Sequence, residues 1–248
     1  MKKLSTFLIL SAITFFGLTS CQKELGPNST AGKLPVNPPG LGTGHFTLSL
    51  RPLLSSGSGV QDCLVASLPA YAPYNLVGNP DIAASQWTYS GVQGTVRGYF
   101  EFTGLSNLPV GTTIDSATLK LYGLAVNTGS ASPQGNSYYP GSPYDSYGDN
   151  SCWIKRVTGY WNEDSITWNN KPATIDSNKV AVSPSTSQWN YNASVNVTAL
   201  VRDIVNSGHN YGFCLQLQNE SIYRALNFAG SRNTDSTRWP KLVITYTL

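Results

Sequence analysis

The stretch "SATLKLYG", residues 116 to 123, alternates apolar and polar residues. Ala117, Leu119 and Leu121 face one way, and Thr118, Lys120 and Tyr122 the other. A period of two marks a strand buried on one face. The same reading extends outward in both directions. In "RGYFEF" (97–102) Phe100 and Phe102 share a face, and in "GFCLQLQ" (212–218) Phe213, Leu215 and Leu217 do. The closing "KLVITYTL" is rich in β-branched and aromatic residues. Each run is short and bounded by Gly, Pro, Asn or Ser, as antiparallel strands are. One segment departs. In "VTALVRDIVNSG" (197–208) Leu200, Val201, Ile204 and Val205 recur at helical spacing, with Thr198 as N-cap and Gly208 as the stop. Many strands and one short helix predict an all-β fold, an antiparallel jelly-roll-like β-sandwich with the helix capping one end.

The chain has 248 residues. Lys2 and Lys3 precede a mostly apolar run, Leu4 to Leu18, too short to span a bilayer but suited to a signal peptide. It ends in Leu18-Thr19-Ser20-Cys21, which resembles the lipobox of bacterial lipoproteins. The resemblance implies that residues 1–20 are a signal peptide and that Cys21 is acylated. More than one acyl chain anchors stably. Gln22-Lys23-Glu24 resembles the tag of lipoproteins sent to the outer face of some outer membranes, so the expected location is the outer membrane, facing the exterior. Residues 21–44 read as a tether, with four prolines, five glycines and few apolar residues after Cys21. Residues 45–248 then form one domain.

Losing residues 1–20 removes two lysines, so the formal charge of +3 becomes +1 (3 − 2). No basic stripe suits nucleic acid, which argues against that partner. Cys63, Cys152 and Cys214 match no zinc or redox spacing. Three thiols allow at most one disulfide, and small buried residues are the favoured reading.

"GYWNEDSITWNNKP" (159–172) looks functional at first sight. A glycosidase needs two carboxylates across the scissile bond, about 5 to 9.5 Å apart. Adjacent Glu163 and Asp164 on a strand or tight turn point in different directions. The stretch is therefore read as a corner. Ile166 and Trp168 alternate in a strand, Asn169, Asn170 and Pro172 turn the chain, the Trp161 indole N–H finds a carbonyl, and Glu163 accepts backbone N–H groups. No G-x-S-x-G elbow is present. His209 with Tyr211 offers only a weak lyase-like pair, so no catalytic residue is assigned. No cofactor is implied, although Asp62, Asn79 and Asp81 could contribute to a structural calcium site.

Four segments together are similar to one family. "RGYFEFTGLSNLPVGTTIDSATLKLYG", "YWNEDSITWNNKP", "VNVTALVRDIV…NYGFCLQLQ" and "RWPKLVITY" resemble the DNRLRE, or disaggregatase-related, domain, in the same order over about residues 60 to 246. Thr103, where that strand usually ends in aspartate, and the long tyrosine-rich loop at 127–151 depart from it. The resemblance implies a jelly-roll-like sandwich on surface proteins, often a carbohydrate-binding module, in some cases for acidic polysaccharides such as alginate.

Sugar rings stack on flat aromatics. Trp87 and Tyr89 in "QWTYSG", and Trp189 and Tyr191 in "QWNYNA", stand at i and i+2, one face of a strand. Arg97 and Arg224, with Arg232 and Arg238, could pair with uronate carboxylates. The tyrosine loop is a further candidate. The expected function is that of an outer-surface lipoprotein that binds polysaccharide, acidic chains included, without cleaving it. A structural or adhesive role, and a lyase or glycosidase of unrecognised type, stay open as alternatives.

Overall fold

The computed structural model describes residues 44–53, 59–127 and 133–248. The signal, lipobox and tether readings, Cys21 included, lie outside the described residues, as does part of the tyrosine loop. The described residues fall in one compact unit, Leu34–Leu248.

Among the described residues eleven strands and one α-helix follow in order: β1 (His45–Leu50), β2 (Val60–Ala66), β3 (Asp81–Tyr89), β4 (Val92–Phe102), β5 (Thr113–Leu121), β6 (Cys152–Val157), β7 (Thr174–Val182), β8 (Ala193–Asn196), α1 (Thr198–Ser207), β9 (Phe213–Leu217), β10 (Arg224–Ala229) and β11 (Lys241–Thr247). They make two sheets in which every pairing is antiparallel. The four-stranded sheet runs β1-β11-β5-β8, and the larger one β10-β3-β4-β9-β6-β7 with β2 also on β4. The expected sandwich is therefore present. Its core lies between the sheets, where Leu119 and Leu121 of β5 meet Phe100, Phe102, Phe213 and Leu215. The period of two seen in the sequence is the alternation of core and solvent along each strand.

β4 is the central strand. It pairs with β3 from Val92 to Val96, then with β9 from Gly98 to Phe100, and along Val96–Phe102 with β2. Ser90-Gly91 closes the β3–β4 hairpin as a two-residue loop with positive φ at both positions. Beyond Ser85, β3 parts from β4, and its backbone at Ala83 lies against Gly98. A Cβ there would sit 3.1 Å from the Ala83 carbonyl oxygen and 3.0 Å from Ile82 Cγ2. Only glycine leaves room for that approach.

Helix α1 starts one residue earlier than a Thr198 cap implies. Val197 is the N-cap, and the Thr198 hydroxyl instead accepts from the Ala117 N–H of β5, 2.9 Å. Leu200, Val201 and Ile204 enter the core, and Gly208 ends the helix with φ 68°. Cys63, Cys152 and Cys214 are free and buried. Burial pushes the Cys63 thiol up to about 11 and that of Cys214 to about 12.

The 159–172 stretch holds no strand, contrary to expectation. It makes two successive turns, with Ile166 N–H bonded to Asn162 O and the Asn170 side chain bridging Thr167 N–H and Ser165 O. The Asn162 and Asn170 side chains, which accept from the Asp164 and Thr167 N–H groups, override the alternation of Ile166 and Trp168, because side-chain amides compete with ladder bonds. The stretch covers the outer face of the larger sheet. Trp161 stacks edge-on to Tyr99, its indole N–H donates to Tyr211 O at 2.9 Å, and Ile166 and Trp168 close over Cys63, Val65 and Cys214. Replacement of Trp161 by Ala should destabilise the domain by about 3–5 kcal/mol, read from urea unfolding. A loss below about 1 kcal/mol would mean that the corner packs loosely.

Candidate functional site

Glu163 does not stand across a cleft from Asp164. Its carboxylate accepts from Asp62 N–H at 3.0 Å and pairs with Arg232 at 2.9 Å. The other Arg232 nitrogen pairs with Asp62 at 2.9 Å, and Asp62 also accepts the Ser231 N–H. This partly buried bridge pins the corner to β2 and to the loop after β10. Asp164 is exposed. Asn79 Oδ1 accepts the Asp81 N–H, so Asn79 and Asp62 are engaged within the protein. Among the described residues no group of three or more His, Cys, Asp or Glu side chains comes together around a metal-sized space. His209 is exposed and stacks flat on Tyr211.

Burial pushes the Asp62 carboxyl up to about 6, against the Ser231 N–H and the Arg232 charge, which pull it down. In the unfolded chain it titrates near about 3.9. Between about pH 4 and 6 the folded protein holds the extra proton, so this group's contribution to stability falls as pH rises through that window. Asp62→Asn removes the dependence. The stability advantage of wild type over the variant should be larger at about pH 4.5 than at pH 7, by about 1–3 kcal/mol. A gap independent of pH would show that the carboxyl is not displaced.

The candidate binding aromatics separate into two kinds. "QWNYNA" is not a strand before Ala193, so Trp189 and Tyr191 share no strand face. They sit in the loop from β7 to β8. Tyr191 packs on Phe228 at the core margin, and its hydroxyl donates to Ser183 O. The Trp189 carbonyl accepts the Ala125 N–H. Trp87 and Tyr89 do lie on one face of β3, as expected. Tyr89 is 57% exposed and meets Tyr71 edge-on at 5.7 Å. Trp87 packs edge-on to Tyr144 and Tyr223 at 4.8 and 5.1 Å.

The tyrosine loop therefore joins the Trp87 site. It is pinned to the free edge of β10. Asn136 Oδ1 accepts Asn227 N–H, Ser137 Oγ accepts Ala225 N–H, and Ala225 O accepts from Ser137 N–H and the Asn150 amide. These side chains imitate the strand that β10 lacks and protect its edge. Tyr147 stacks edge-on to Tyr223, which holds a positive φ of 62°.

The arginines expected to read uronates have other partners. Arg97 forms a two-pronged pair with Glu220 at 2.8 and 3.0 Å and lies over Trp168. Arg224 donates to Tyr147 O and Asp149 O, fixing the tyrosine loop. Arg238 donates to Gly123 O.

Between the β3–β4 hairpin and the loop after β2 lies a cleft of about 400 Å³. It is lined by Ser85, Trp87 and Tyr89 of β3, Gly94 and Val96 of β4, and Leu68 and Tyr71 of the loop after β2. Gly94 stands opposite Trp87 in the hairpin register, and the Leu68 side chain lies against it. Tyr71, Leu68, Ser85 and Gln134 were not singled out from sequence, since Tyr71 and Leu68 lie in an aperiodic loop. The Ser90-Gly91 turn carried a usable signal, because a two-residue loop there sets Trp87 against Gly94.

An aromatic cleft at one end of a β-sandwich is a setting for sugar recognition. A family model, carbohydrate-binding module family 96, matches residues 81–246. The chain belongs to carbohydrate-binding module family 96. The match includes both β3 and β4, the two strands that line the cleft. The chain is also 28% identical over 160 residues to the tRNA nuclease WapA of Bacillus subtilis (strain 168), and likewise to the tRNA3(Ser)-specific nuclease WapA of Bacillus spizizenii. Those 160 residues are 64% of this chain and 6% of either relative, so the chain spans a small part of their length. Membership of a carbohydrate-binding module family supports carbohydrate as the partner and a non-catalytic role.

Proposed function

We propose that this family 96 module holds a polysaccharide, without cleaving it, in the cleft between the β3–β4 hairpin and the loop after β2, and that an acylated Cys21 displays it on the exterior of an outer membrane. The observation that carries the binding reading is the convergence of Trp87, Tyr89 and Tyr71 around one concave site. Aromatic walls take the C–H faces of sugar rings, and concave sites of this kind hold ligands. The sharing of Arg232 between Asp62 and Glu163 supports a holding role for those carboxylates rather than acid–base chemistry. With Arg97 and Arg224 engaged elsewhere, an acidic ligand draws less support than carbohydrate itself.

Tyr89→Ala and Trp87→Ala should each weaken binding to the polysaccharide by about tenfold or more, equivalent to about 1.4 kcal/mol. Tyr89 is exposed, so its variant should melt near wild type. Isothermal titration alongside thermal unfolding checks both, and incubation with the bound polysaccharide should release no reducing ends. Normal binding by both variants moves the site elsewhere.

The anchor has a separate test. Cys21→Ser should leave uncleaved precursor or released protein in fractionated cells. Mature Cys21→Ser protein still pelleting with outer membranes would falsify the lipobox reading.

A further inference from the structure

Resting on the carbohydrate reading above, we infer that the cleft selects an uncharged sugar unit and that Ser85 and Gln134 read its hydroxyls. The first observation is two orphan polar groups on the cleft lining. Ser85 is 1% exposed, and its hydroxyl has no partner. The Gln134 side-chain nitrogen is likewise buried without a partner. Both residues line the cleft together with Trp87. Buried polar groups in folded proteins are almost always hydrogen-bonded, and each exception calls for a cause. Both line one apolar cleft, Ser85 from β3 and Gln134 from the tyrosine loop. A hydroxylated ligand completes both, since one sugar hydroxyl oxygen accepts from the Gln134 amide and another sugar O–H donates to Ser85 Oγ.

The second observation is charge. Among the described residues lining the cleft, none is Asp, Glu, Lys, Arg or His. A uronate carboxylate carried into this space would lose its water and meet no cation, which is strongly unfavourable. The guanidinium on the neighbouring strand, that of Arg224, faces the backbone of Tyr147 and Asp149. A neutral ring instead places its C–H face on Trp87 and its hydroxyls on the two orphans. At about 400 Å³ the cleft is near the small end of ligand pockets, which run from about 300 to 1,000 Å³. It therefore takes a short piece of glycan rather than a long chain laid flat.

The experiment uses the mature full chain against neutral oligosaccharides from xylan, mannan, galactan and β-glucan, and against alginate and polygalacturonate oligosaccharides, by calorimetry at low and high salt. A neutral oligosaccharide should bind with an affinity that salt leaves unchanged, since no ion pair is screened. Ser85→Ala and Gln134→Ala should each weaken it by about tenfold, the loss of one hydrogen bond in a dry site. Ser85→Ala should also melt at or above the wild-type temperature, because it removes an orphan hydroxyl. Gln134→Ala leaves the backbone carbonyl that holds Gln188 in place. Uronate binding that depends on Trp87 and weakens with salt overturns the neutral-sugar inference while keeping the carbohydrate reading. Wild-type binding by Ser85→Ala and Gln134→Ala, with Trp87→Ala defective, overturns the assignment of the two readers. No binding of either glycan class removes the carbohydrate reading of the cleft and this inference together.

Discussion

The passage of the β3 backbone across Gly98 is the contact on which the rest of the larger sheet depends. β4 is long enough to pair with three neighbours, but one edge cannot serve β3 and β9 at the same level. The conflict is resolved by separation. β3 holds β4 only from Val96 outward, then crosses its face, and β9 takes the vacated edge. The crossing sends Ile82 and Ala84 into the main core and leaves Leu64, Ala66, Ala83 and Val96 as a smaller cluster beside it. The hairpin end, carrying Trp87 and Tyr89, thus stands clear of the inter-sheet core. An open space lined by apolar side chains follows from that geometry.

Loops complete what the sheets leave unfinished. The outer face of the larger sheet is apolar at Val65, Tyr99 and Cys214, and the 159–172 turns cover it. A lid made of turns holds poorly by packing alone, so Asp62, Glu163 and Arg232 pin it with charge-assisted bonds. Removing Arg232 would leave the Asp62 carboxylate, the one buried member, without its counter-charge, which is destabilising. The tyrosine loop does the same service for the edge of β10 with neutral side chains, Asn136, Ser137 and Asn150. The two devices differ because the corner must hold down an apolar lid, whereas the edge needs only its backbone groups satisfied.

The aromatic residues divide along the same line. Trp161, Tyr99 and Tyr191 are spent on packing, each with its polar tip bonded to a backbone carbonyl. Tyr89, Tyr71 and Trp87 face the cleft, and Tyr89 keeps more than half of its surface open. Membership of a carbohydrate-binding family and an aromatic-walled cleft are independent observations that agree. Among its described residues, the tyrosine loop reaches the cleft through Pro133 and Gln134 and through the contact of Tyr144 with Trp87, and much of the rest serves as scaffold.

What the amino-acid order determines by itself is local. Alternation in 97–102, 116–123 and 212–218 dictates strands, because side chains point to opposite faces at each step. Helical spacing after Thr198 and the glycine at 208 dictate one helix and its end. The Trp87–Tyr89 face was legible for the same reason, being a period-two pair within a strand. The equally spaced Trp189–Tyr191 pair was not, since an i, i+2 spacing has meaning only where the backbone is extended, and there it is a loop. Nor could spacing say that Glu163 would meet Arg232, 69 residues away (232 − 163), or that Arg97 would meet Glu220. Long-range partners decide which charges are free for a ligand, and only the crossing of strands decides them. Ser85 shows the point most plainly. In sequence it is one small polar residue on an apolar strand face, and only the departure of β3 from β4 beyond it leaves its hydroxyl beside a cleft.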